Sequence, residues 1–129
     1  MFSSKKCCLC INKKNGFICK ICNTHKYLKK LSQSYVKRAT GKYTIDTEKY
    51  LGCDIVTLKK HLDESLISGM NWMNHGVRWH IDHTVPICYK DGKKKVSVKE
   101  KTERLCYTNM KAMWAEENLS KGCRYINNV

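Results

Sequence analysis

Two Cys-x-x-Cys pairs, Cys7/Cys10 and Cys19/Cys22, flank an Asn15-Gly16 dipeptide. No other stretch constrains the fold as tightly. Asn-Gly suits a two-residue hairpin turn, because both positions tolerate positive φ. A hairpin with a Cys-x-x-Cys at each end gathers four sulfurs, the donor set of a closed tetrahedral Zn²⁺ site. The spacing predicts a structural Zn²⁺ on Cys7, Cys10, Cys19 and Cys22, with Cys8 competing with Cys7 for the ligand position. Only eight residues separate Cys10 from Cys19, against about 15–20 in common zinc ribbons. His25 reads as a helix-start residue rather than a ligand.

The chain has nine cysteines, an odd number, and residues 1–20 hold Lys5, Lys6, Lys13 and Lys14 with no long apolar run. A signal peptide and a secreted disulfide framework are therefore disfavoured. The expectation is an intracellular, reducing compartment, the cytoplasm or nucleus of a host cell. Cys88, Cys106 and Cys123 lack paired spacing and are expected as buried thiols.

Charge narrows the partners. Lys plus Arg number 25 against 11 Asp plus Glu, a net charge of +14. Self-repulsion on that scale is relieved by a polyanion, and Lys and Arg neutralise phosphates without reading sequence. A polyanionic partner is expected, with DNA, double-stranded above all, as the candidate. No stretch reaches transmembrane length, and the basic residues lack the apolar opposite face that a membrane surface needs.

The 129 residues suit one domain, 1–129, with a zinc hairpin and basic helix over 1–38 and a core over 51–124. Tyr27, Leu28, Leu31 and Tyr35 recur at helical spacing and predict a helix over 24–38. Its Lys29 and Lys30 are candidate DNA-backbone contacts. Residues 39–53 read as a connector with short extended pieces. A helix over 54–68 is predicted from Asp54 as N-cap, the apolar face Ile55, Leu58, Leu62 and Leu66, and Gly69 as stop. His61 within it reads as a surface or core histidine, and His75 as a turn residue. Trp72, Trp79 and Trp114 are expected in the core.

Chemistry concentrates further on. Trp79-His80-Ile81-Asp82-His83-Thr84-Val85 favours a strand, which Pro86 ends. A carboxylate offers Mg²⁺ a hard oxygen ligand, and an imidazole can take a proton from water. His80 shares a strand face with Asp82, not with His83, and is a candidate DNA contact or helper in binding metal or phosphate. A second strand near Met110–Trp114 and a helix from about Glu116 give a β, β, α order. The turn Lys90-Asp91-Gly92-Lys93-Lys94-Lys95 between the strands places Lys93, Lys94 and Lys95 as DNA contacts. A short helix is expected within 97–106, and Arg78 is a candidate for holding a phosphate group.

These residues resemble the HNH endonuclease family, especially its phage, homing-type and large-virus members. The resemblance rests on Trp79–Pro86, on Tyr107-Thr108-Asn109-Met110, and on Trp114-Ala115-Glu116-Glu117-Asn118-Leu119-Ser120-Lys121-Gly122. Leu51-Gly52-Cys53 and Gly69-Met70-Asn71-Trp72 add to it. It implies an α+β fold with a ββα-metal (His-Me finger) nuclease core, and hydrolysis of DNA phosphodiesters with Mg²⁺ or Mn²⁺. By the same resemblance His83 is the general base, Asp82 and Asn118 hold the ion, and Asn109 fixes the loop and orients the base. Asn118 stands where many members have His, an H-N-N variant. Two other readings fit the same charge: a non-catalytic zinc-dependent DNA-binding module, and a structure-specific or RNA nuclease.

Overall fold

The computed structural model describes residue 14 and residues 18–125. Cys7, Cys8 and Cys10, and the Asn15-Gly16 dipeptide where a hairpin turn is expected, lie outside those residues. Within them the chain is a small α+β structure of five helices and one two-stranded antiparallel sheet.

Helix α1 runs Thr24–Thr40 and ends at Gly41, whose φ of 79° is the left-handed geometry that stops a helix. Helix α3, Ile55–Ser65, starts where Asp54 accepts a hydrogen bond from Thr57 N. It stops at Leu66, short of Gly69, because Leu66 is already extended. The expected extended connector over 39–53 is corrected: Thr47–Leu51 forms a short helix, α2, closed by Gly52 at φ 75°. Burial of Thr47 and Leu51 stabilises this turn; tertiary packing decides a segment whose local pattern is weak. Helix α4, Val98–Glu103, is capped by Ser97.

Strand β1, Trp79–His83, pairs with β2, Met110–Trp114, in the register Trp79 with Trp114 and His83 with Met110. Helix α5, Ala115–Lys121, follows β2 at once. A two-stranded sheet has two open edges and is marginal alone. Here α3 covers one: His61 Nε2 donates to Met110 O at 2.8 Å, and Ala112 N donates to Ser65 Oγ at 2.9 Å.

Alternation along β1 divides its side chains. Trp79 and Ile81 enter the main core with Leu28, Leu51, Leu58, Leu62 and Met110. His80 and Asp82 turn to α5. A second cluster, Val36, Ala39, Ile87 and Leu105, joins α1 to the segment after β1. The three tryptophans pack as expected, Trp72 and Trp79 in the core and Trp114 against it. No described helix is long and apolar enough to cross a membrane.

Candidate functional site

The end of β1 opens into a cavity of about 320 Å³ lined by Asp82, His83, Asn118, Arg38 and Lys101, among others. Adjacent strand residues point to opposite faces, so Asp82 and His83 share this cavity only because the strand ends there. Asp82 is 4% exposed and His83 8%.

Asn109 builds the strand end. Its Oδ1 accepts from Val85 N at 2.9 Å, and its Nδ2 donates to Val85 O at 3.0 Å and Arg104 O at 2.8 Å. Its carbonyl accepts from Thr84 N at 2.8 Å. Asn109 therefore pins the loop after β1; the hydrogen bonds run to the loop backbone rather than to the His83 ring. Arg104 adds to the brace, donating from Nη1 to the carbonyls of Pro86, Ile87 and Tyr89.

His83 packs edge-on against Tyr35 of α1, ring centroids 4.8 Å apart. Burial pushes its pKa down to about 4, opposed by Asp82 and assisted by Arg38 and Lys121. The ring is neutral near pH 7. Its Nε2 is buried and has no hydrogen-bond partner among the described residues. Among the described residues Thr47 Oγ1 shares this property, but of the two only His83 lines the cavity.

Asp82 is engaged. Lys121 Nζ, at the last turn of α5, donates to Asp82 Oδ1 at 2.9 Å and Oδ2 at 3.1 Å. It also donates to the main-chain oxygens of His83 and Thr84, each at 2.9 Å. Asn118, one turn earlier, donates from Nδ2 to His80 Nδ1 at 2.9 Å. The structure thus brings Asp82, His83 and Asn118 together, with His80 behind Asn118.

Other expected contacts lie elsewhere. Arg78 is exposed at the opposite end of β1, in a depression with Val77, Trp114, Ala115, Glu116 and Glu117. Lys29, Lys30, Lys94 and Lys95 are exposed, and Lys93 pairs with Glu100 at 3.1 Å. Sequence reasoning missed Arg38 and Lys101 as cavity cations. Both belong to basic runs on helices, and only the packing of α1 and α4 shows which member of each run faces the site. Lys121 belongs to the Trp114–Gly122 motif, and nothing in that motif assigns it a role.

The cysteines need one correction. Cys88 and Cys123 are not buried thiols: both are exposed and joined by a disulfide with Cα atoms 5.9 Å apart. Thirty-five positions separate them in sequence, and only the return of α5 onto β1 makes them neighbours. Cys106 is a half-buried thiol beside Thr108. At the N-terminal knuckle, Ile21 N and Cys22 N donate to Cys19 Sγ at 3.4 and 3.3 Å. His25 sits exposed in the first turn of α1.

An uncharacterized protein of Acanthamoeba polyphaga mimivirus is 34% identical over 61 residues, 46% of this chain. The match spans 27% of that protein's length. No family model matches the chain, and no solved structure matches it.

Proposed function

We propose that the chain is a divalent-metal-dependent endonuclease of the HNH type that hydrolyses phosphodiester bonds in duplex DNA. The observation that carries this reading is the meeting of Asp82, His83 and Asn118 at one cavity, with His83 Nε2 buried and partnerless.

The donor set fits a hard cation. It comprises the Asp82 carboxylate, the Asn118 amide oxygen and the two carbonyls of His83 and Thr84; the ammonium of Lys121 already stands in among the oxygens of Asp82, His83 and Thr84. Asp82 and Asn118 would hold Mg²⁺ or Mn²⁺; donation of the Asn118 nitrogen to His80 leaves the amide oxygen for the ion. A bound ion would polarise a phosphate oxygen and stabilise the leaving 3′-oxygen. His83, neutral at pH 7, takes the proton of the attacking water. Asn109 holds the strand end that carries His83. Arg38 and Lys101 place positive charge at the cavity for the scissile phosphate, and exposed lysines such as Lys29, Lys30, Lys94 and Lys95 extend the contact along the backbone.

A structural Zn²⁺ on Cys19 and Cys22, completed by Cys10 and by Cys7 or Cys8, belongs to the same reading. The two backbone N–H donors on Cys19 Sγ support it, since they fix the direction of that sulfur. Elemental analysis of protein purified without added metal should find one zinc per chain; none in a folded preparation removes this part. A second reading, a DNA-binding module that does not cut, takes support from the neutralisation of Asp82 by Lys121.

The test is plasmid cleavage with Mg²⁺ or Mn²⁺, with and without chelator. Nicked or linear product with 5′-phosphate and 3′-hydroxyl ends, lost on chelation, is expected. Folded protein that binds the plasmid and leaves it intact with both ions favours the second reading.

A further inference from the structure

Lys121 satisfies conditions that no other lysine among the described residues meets. An ammonium has three donors. Asp82 Oδ1, His83 O and Thr84 O lie at 2.9 Å from Nζ, with Asp82 Oδ2 at 3.1 Å. The lysine side chain is 19% exposed and the Asp82 side chain 4%. A carboxylate this buried requires a cation beside it. Two consecutive main-chain carbonyls also face the same ammonium, an arrangement built by the loop that Asn109 pins. Such a cluster of hard oxygens suits Mg²⁺ or Mn²⁺ as well as it suits an ammonium.

We propose that Lys121 is a resident counter-cation of this oxygen nest, which a divalent ion must displace to reach Asp82. The proposal rests on the reading of Asp82 as a ligand for a divalent ion. The stem of Lys121 leaves from the end of α5, next to Gly122 and the exposed Cys123. Rotation about its side-chain bonds carries the ammonium out to solvent without moving β1 or Asn109. In the resting protein Lys121 keeps Asp82 neutralised and lowers its affinity for divalent ions. When an ion takes the nest, the freed ammonium moves out over α5, where Lys121 lines a depression with Glu116, Glu117, Ser120 and Arg124.

Two measurements on the full-length, zinc-replete chain test this without DNA and without cleavage. The first is Mn²⁺ binding, followed by the electron-spin signal of free Mn²⁺. Lys121→Met keeps the apolar stem and removes the charge, and should tighten Mn²⁺ binding about tenfold or more. Asp82→Asn in the Lys121→Met background should abolish that gain, and Lys121→Arg should hold affinity at the wild-type level. Affinity in Lys121→Met that is unchanged or weaker overturns the proposal. The second measurement needs no variant: acylation of lysines in the wild-type protein, read by mass spectrometry. Mn²⁺ should raise labelling of Lys121 several-fold while the exposed lysines stay constant. Labelling of Lys121 that ignores Mn²⁺ also overturns the proposal. A Lys121 that yields to Mn²⁺ in a protein that cuts no DNA contradicts the nuclease reading alone. An unmoved Lys121 in a metal-dependent nuclease contradicts this proposal alone.

Discussion

Two buried histidines flank β1, and the chain treats them differently. His75, four residues before the strand, is 6% exposed; His83, its last residue, is 8% exposed. Burial pushes both down to about 4. His75 lies against Trp72 and Trp79, and its Nδ1 meets Tyr27 Oη at 2.7 Å. Its backbone oxygen also accepts from Lys20 Nζ at 2.8 Å, tying the segment before α1 to the core. His83 lies against Tyr35, but its Nε2 has no partner among the described residues, and charged groups surround it. Burial and a depressed pKa therefore do not mark a site by themselves. The difference lies in the unused hydrogen-bonding capacity of His83 and in the Asp82, Arg38 and Lys101 around it.

The largest effect that the two histidines share is acid sensitivity. Between about pH 6.5 and about 4 the unfolded chain takes up protons at both positions that the folded chain refuses. Stability is fully present above the unfolded value and is lost as pH falls toward the folded one, on the order of 1 kcal/mol per pH unit for each ring within that window. Denaturant melts at stepped pH should show this slope, and His75→Phe should make it shallower. A melt that is flat from pH 7 to 4.5 would contradict the burial of both rings.

A smaller loss is expected where the two ends of the strand differ most, in the brace at Asn109. Asn109→Ala leaves Val85 N, Val85 O and Arg104 O without their partner. It should cost about 2 kcal/mol of stability and slow cleavage as the strand end loosens. Chemical denaturation alongside a cleavage time course checks both, and retention of full stability would show that the loop is held by other contacts.

The smallest change is at His75. His75→Phe keeps an aromatic ring beside Trp79 and loses the bond to Tyr27. About 1 kcal/mol of stability should go, with cleavage by the folded fraction unaffected. A collapse of cleavage in this variant would erase the distinction between the two histidines.

What could be read in the sequence is what short-range pattern encodes. Ile81 and its neighbours mark β1, although the strand stops at His83, before Thr84, Val85 and Pro86; the apolar stretch Met110–Trp114 marks β2, and Asp54 with its i, i+3/i+4 apolar face marks α3. The meeting of Asp82 with Asn118 was legible only through the motif resemblance, because thirty-five intervening positions give no local signal. The misses share one physical cause. Helix α2, the Cys88–Cys123 disulfide, the choice of Arg38 within a basic run and the burial of His75 all depend on which distant surface a residue meets after folding. Lys121 is the clearest case: its four short contacts run to residues 37–39 positions away, and nothing beside it in sequence separates it from a solvated lysine.

The measurement that tests the central claim most directly is cleavage of duplex DNA by wild type, His83→Ala and His75→Phe, side by side, at neutral pH with saturating Mg²⁺. DNA binding is measured on the same preparations. Loss of a general base lowers rates by about 10²–10⁴. The account predicts a fall of that size in His83→Ala with binding retained, and wild-type rates in His75→Phe. Full cleavage by His83→Ala, or an equal fall in both variants, would contradict it.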